Sequence, residues 1–139
     1  MRVFFDSSSF VKRFVEETGS QDVEVICQDA SSLGLSIICL PEIISALNLK
    51  KREGHLDEGS YLKIKYQLLE DIRDIQIIQL LPEVVEKSVF LLESNLLRSL
   101  DALHVACAIE WYAELFVSSD KRQILAAKKA GLSSRYIGA

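Results

Sequence analysis

The chain is poor in the residues that punctuate, staple or anchor a protein. Among its 139 residues are two prolines, six glycines and three cysteines. So little proline and glycine argues against a low-complexity or collagen-like chain, and no repeat or linker interrupts the sequence. Cys27, Cys39 and Cys107 are odd in number and lack CxxC spacing, which argues against a disulfide framework or a zinc site. Each sits among apolar residues and reads as a small buried hydrophobe. No apolar run approaches the roughly 20 residues of a membrane span. Asp6 interrupts the first apolar run too early for the core of a signal peptide, so a soluble, cytoplasmic protein with no membrane partner is expected.

What is present is a hydrophobic fraction of 49% and a net charge of -4. The first is enough for a real core, and 139 residues fit one domain, taken as 1–139. The second points mildly away from a general nucleic-acid binder. Local basic clusters such as Lys50-Lys51-Arg52 and Lys121-Arg122 keep that argument weak.

Five strands are expected, at residues 2–5, 34–39, 75–79, 115–118 and 135–137. The first, second and fourth are nearly continuous apolar runs, as strands covered on both faces require. Helical patterns fill the gaps at 8–16, 20–31, 41–53, 57–72, 82–94, 99–113 and 120–130. Pro41 and Pro82 suit first helical turns, Ser99 is a candidate N-cap, and Gly54 and Gly131 suit C′ positions. This alternation predicts a three-layer α/β/α sandwich around a central parallel sheet of about five strands.

Four acids fall at the boundaries of these elements: Asp6, Glu42, Asp101 and Asp120. Asp6, Glu42 and Asp120 each follow an apolar run, and Asp101 opens the alanine-rich helix 99–113. Ligands of open parallel sheets bind beyond the carboxyl ends of the strands, where such acids would meet. Clustered carboxylates repel one another, and a divalent cation is the usual compensation. Metal-dependent phosphodiester chemistry is the leading expectation. Taken singly, each acid has a plain structural alternative as a helix cap or helix-dipole partner. An aspartyl-phosphate mechanism with Asp6 as nucleophile wants a second Asp two residues on, where Ser8 stands. His104 shares a helical face with Asp101, but on so apolar a helix it is expected to be a hydrogen-bonded core residue.

The same residues resemble a known family. Phe4-Phe5-Asp6-Ser7-Ser8 resembles the first motif of PIN-domain ribonucleases, and Pro41-Glu42-Ile43-Ile44-Ser45-Ala46-Leu47 the second. Ser99-Leu100-Asp101-Ala102-Leu103-His104 is similar to the family's Asp-Ala-Leu-His stretch. Val117-Ser118-Ser119-Asp120 resembles the last motif, with Ser118 where Thr is commoner. The order of the motifs is most similar to that of VapC-like toxins of type II toxin–antitoxin modules. The resemblance implies a PIN-like fold and a Mg²⁺- or Mn²⁺-dependent endoribonuclease that cleaves RNA phosphodiester bonds. Asp6 and Asp101 would be central metal ligands, with Glu42 and Asp120 binding directly or through water. Ser7, Ser8, Arg98 and Ser118 would contact substrate or orient the acids.

The resemblance also implies a homodimer and a small antitoxin that inserts a basic residue into the acidic pocket. Apolar residues beyond the needs of a core, in helices 20–31 and 57–72, are consistent with such surfaces; Tyr61, Leu62, Leu68, Leu69 and Ile72 recur near helical spacing. The competing expectations are a catalytically inactive PIN-like interaction module and a PIN nuclease outside any toxin–antitoxin pair.

Overall fold

The computed structural model describes residues 1–138. Five parallel strands form one sheet: β1 (Arg2–Phe5), β2 (Ser32–Ser36), β3 (Gln76–Ile78), β4 (Leu115–Ser118) and β5 (Ser134–Tyr136). Their order across the sheet is β3-β2-β1-β4-β5. The chain therefore steps outward from β1 to β3, then returns to the other flank of β1 to lay down β4. The gap between β1 and β4 is the topological switch point, where open α/β sheets place their ligands.

Seven helices cover the sheet: α1 (Ser7–Phe10), α2 (Ser20–Asp29), α3 (Cys39–Arg52), α4 (Glu58–Ile72), α5 (Pro82–Ser94), α6 (Ser99–Glu110) and α7 (Lys121–Lys129). Strand alternation divides the core in two. Val3, Phe5, Leu35 and Val117 point to one face and pack with Val23, Ile43, Leu47 and Leu68 of α2, α3 and α4. Phe4 and Phe116 point to the other and pack with Leu91, Val105, Ala106 and Ile124 of α5, α6 and α7. Phe4 stacks on Phe116 with ring centroids 6.0 Å apart. Two buried faces explain why β1 and β4 read as unbroken apolar runs.

Several boundaries differ from the sequence pattern, each for a physical reason. The apolar run 33–40 is not one strand. β2 ends at Ser36, the Ile37 amide makes a last cross-strand bond to Ile78, and α3 already begins at Cys39. A buried strand and a buried helical turn look alike in hydrophobicity, so periodicity could not separate them. Glu42 sits in the first turn of α3, the position that Pro41 before it suggests. The helix expected at 8–16 is the short α1 followed by a 3-10 turn, Val11–Arg13. The N-cap of α6 is Arg98, in extended backbone and with no side-chain cap, so Ser99 is the first helical residue. α6 stops at Glu110 because Tyr112 turns left-handed at φ 58° and the Ala113 amide bonds back to Ala108. Gly54 and Gly131 do take the left-handed turns expected after α3 and α7.

All three cysteines are free. Burial pushes the Cys39 thiol up to about 12, which removes it as a nucleophile. No helix among the described residues is long and apolar enough to cross a membrane. On α4, Tyr61 and Leu68 join the core while Leu62 and Leu69 face solvent. A larger exposed apolar stripe, not anticipated from the sequence, runs along α5 through Leu81, Val85, Val89, Leu92 and Leu96.

Candidate active site

A pocket of about 280 Å³ opens at the carboxyl end of the sheet, over the switch point. Asp6, Glu42, Asp101 and Asp120 all line it, with Ser7, Ser8, Arg98, His104 and Gln123. Four acids separated by as many as 114 positions in the chain therefore face one space.

Asp6 leaves the end of β1, and its amide still bonds to Val117 of β4 at 3.1 Å. The side chain is buried and accepts four hydrogen bonds. Ser9 donates its amide at 3.0 Å and its hydroxyl at 2.8 Å to Oδ1. Ser8 and Ser118 donate hydroxyls to Oδ2 at 2.7 and 2.8 Å. This is how a buried carboxylate is tolerated: donors replace the lost water. Asp6 also caps α1, so the capping alternative and the site placement hold together.

Asp120 behaves similarly on the neighbouring strand. It caps α7, with Oδ1 accepting from the Arg122 amide at 2.9 Å. Its own amide donates to the Ser118 hydroxyl at 2.9 Å. Ser118 is fully buried and does not line the pocket; it ties Asp6 to Asp120 across the β1/β4 gap. Ser8 adds a second tie, donating to Asp6 and accepting from the Ser119 amide at 3.1 Å.

The opposite wall comes from helices. Asp101, in the first turn of α6, accepts from the Gln123 side-chain Nε2 at 3.0 Å through Oδ1 and from Arg98 at 3.3 Å through Oδ2. Arg98 is otherwise exposed, so this ion pair contributes little to stability. Glu42 reaches in from α3. Its Oε1 accepts from Ser7 at 2.7 Å and lies 2.5 Å from Nε2 of His104. Burial pushes the Glu42 carboxyl up, but hydrogen bonds from His104 and Ser7, with the nearby Arg98 charge, outweigh it and hold it below its ordinary value. A Glu42 that stays ionised suits a cation-binding or phosphate-facing site.

His104 is buried, as expected of a residue on so apolar a helix, but its partners are site residues. Its Nδ1 is buried and meets no hydrogen-bond partner among the described residues. A proton on Nδ1 would be an orphaned donor costing about 1–3 kcal/mol. The ring proton facing the site therefore belongs on Nε2, shared between Glu42 Oε1 and the Ser7 oxygen 3.2 Å away. Ser9 and Gln123 complete the site. Ser9 follows Asp6 at the spacing of an N-cap bond, a local signal that was available. Gln123 touches Asp101 only because α7 packs on α6, which no local pattern reveals.

Among the described residues no three His, Cys, Asp or Glu side chains are gathered closely enough to hold an ion directly. The donor set is rich in oxygen, however, and two carboxylate oxygens, Glu42 Oε2 and Asp120 Oδ2, take no hydrogen bond from the described residues. That fits a cation such as Mg²⁺, which prefers oxygen, keeps several waters and uses one or two carboxylates.

A doubly wound parallel sheet with a pocket at its switch point places the chain in the class of open-sheet α/β proteins, whose ligands bind in that crevice. Within that class the assignment is specific: the PIN domain model matches residues 3–129, and the chain belongs to the PIN domain family. It is 27% identical over 107 residues to Ribonuclease VapC45 of Mycobacterium tuberculosis, covering 77% of this chain and 74% of the relative. VapC20 of Mycobacterium tuberculosis, described as a sarcin-ricin loop cleaving toxin, shares the fold with a TM-score of 0.67 at 12% identity, covering 94% and 95% of the two chains. A toxin-antitoxin complex from Klebsiella pneumoniae contains a chain with a TM-score of 0.65 at 16% identity, covering 88% and 89%.

Proposed function

We propose that the chain is a divalent-metal-dependent endoribonuclease, the toxin of a toxin–antitoxin pair. The observation that carries this reading is the convergence of Asp6, Glu42, Asp101 and Asp120 on one pocket at the β1/β4 switch point. The ribonuclease relative and the toxin neighbours support RNA as the substrate and a small antitoxin as the partner.

Glu42, Asp101 and Asp120 would hold Mg²⁺ or Mn²⁺ directly or through water, and Asp6 would contribute through its hydrogen-bonded carboxylate. When bound, the ion supplies charge neutralisation and water activation at a phosphodiester. The chain's own residues do the rest. Ser8, Ser9 and Ser118 keep Asp6 in place against the repulsion of its neighbours. Arg98, exposed at the rim, is free to swing from Asp101 to a substrate phosphate, for which a guanidinium fork is well shaped. The acidic pocket would equally accept an Arg or Lys from an antitoxin, in place of the cation. The exposed apolar residues of α4 and, in larger number, of α5 support a homodimer. The place of action would be the cytoplasm, with 1–139 acting as a single PIN unit.

The test is cleavage of a single-stranded RNA by purified protein with Mg²⁺, Mn²⁺ or EDTA. Cleavage that EDTA abolishes and either metal restores is the expected result. Folded, metal-binding protein that leaves every RNA tested intact would favour a non-cleaving interaction module instead. Light scattering at micromolar concentration should give the mass of a dimer; a monomer throughout would remove that part of the reading.

A further inference from the structure

We propose that His104, together with Ser7, is a positioning residue for Glu42: the two clamp Oε1 so that Oε2 is the oxygen offered to the pocket. The inference rests on the metal-dependent reading above.

Three observations carry it. The first is a closed triangle. Ser7 donates to Glu42 Oε1 at 2.7 Å, His104 Nε2 lies 2.5 Å from the same oxygen, and Ser7 and His104 are 3.2 Å apart. One proton from Ser7 and one from Nε2 are enough to make all three contacts. The second is the rigidity of the clamp. His104 sits in the most buried stretch of α6, flanked by Val105, Ala106, Cys107 and Ala108, so its ring is held by packing. The third is the direction of its polarity. A histidine serving only the core would satisfy its ring nitrogens there; here Nδ1 has no partner among the described residues, and every polar contact of the ring points to the site.

Glu42 needs such a clamp more than the other acids do. Its side chain has three rotatable bonds and is partly exposed, so an unclamped carboxylate would sample many orientations. Asp6 and Asp120 are shorter and fixed by capping bonds. His104 acts through Glu42 and is not itself a catalytic residue, since its only site-facing nitrogen is engaged.

The experiment is Mn²⁺ binding by calorimetry, with thermal unfolding, for the native chain and for His104→Leu, His104→Gln, Ser7→Ala and Glu42→Gln. His104→Leu fills the core and removes the orphaned Nδ1, so it should unfold no earlier than the native chain. It should nevertheless bind Mn²⁺ about 10–100-fold more weakly, the usual loss when a ligand's orienting partner is removed. His104→Gln restores an N–H donor and should recover most of the affinity. In a Glu42→Gln background His104→Leu should add nothing further, because the clamped side chain then offers the ion an uncharged amide group and no carboxylate oxygen.

His104→Leu that folds and binds Mn²⁺ like the native chain would overturn the proposal, as would a full additional loss in the Glu42→Gln background. If His104→Leu fails to fold, Ser7→Ala decides: weakened binding supports the clamp, unchanged binding overturns it. A native chain that binds no Mn²⁺ sinks the metal-dependent reading and this inference together. A native chain that binds it while the His104 and Ser7 variants are unaffected sinks this inference alone.

Discussion

The two walls of the pocket are built on different principles. The strand wall, Asp6 and Asp120 with Ser8, Ser9 and Ser118, is held by backbone caps and short hydroxyl bonds across adjacent strands. The helix wall, Glu42 and Asp101, is held by side chains: Ser7, His104 and Gln123 reaching from other elements, and Arg98 from the start of the same helix as Asp101. On the strand wall the groups that hold the site also hold the sheet together. On the helix wall they are side-chain bonds alone, separate from the backbone caps and the sheet. Mutations in the first should therefore cost stability as well as function, and mutations in the second function alone.

The sharpest test is Asp6→Ala. It removes both carboxylate oxygens, which accept from four donors in a buried setting, and the cap of α1. A lost cap and several stranded donors should together cost about 3 kcal/mol, read by denaturant unfolding. Ser118→Ala breaks only the tie between Asp6 and Asp120 and should cost about 1 kcal/mol by the same measurement. Either variant unfolding like the native chain would break the distinction between the walls.

Asp101→Asn belongs to the helix wall. The amide oxygen can still accept from Gln123, and what is lost is an exposed ion pair worth about 0–1 kcal/mol. Neutralising one of four clustered acids offsets that loss. Stability should stay within about 1 kcal/mol of native, while metal-dependent RNA cleavage falls to background. Full activity in folded Asp101→Asn would overturn the mechanism, and a large loss of stability would erase the contrast between the walls. Arg98→Ala should have the smallest effect on the fold, within about 0.5 kcal/mol. Its kinetics sharpen the picture: a raised KM for RNA with unchanged kcat marks a substrate contact, and a lowered kcat marks a role in orienting Asp101.

Much of this was legible in the chain, because the signals are local. Apolar runs covered on both faces mark β1 and β4, and acids one or two residues past them mark a sheet edge. The errors lie where local chemistry is ambiguous. Residues 33–40 contain only one polar residue, Ser36, so the passage from β2 to α3 left little trace in hydrophobicity. Leu100 through Ala113 looks helical to the end, yet Tyr112 adopts a left-handed turn that favours glycine, held by the bond from Ala113 to Ala108. On α5, Val84 and Leu91 are buried while Val85, Val89 and Leu92 are exposed, a division that composition does not reveal.

The sequence alone determined the order of strands and helices, the parallel sheet that such alternation demands, and the placement of four acids at element boundaries. Those are consequences of periodicity and of backbone chemistry within a few residues. Only the tertiary structure decided which strands are neighbours, and so that Ser118 lies beside Asp6 and not beside Glu42. Only it brought His104 to Glu42, 62 positions away, and Gln123 to Asp101. A hydrogen bond between side chains on different elements depends on the packing of both, and no spacing within either records it.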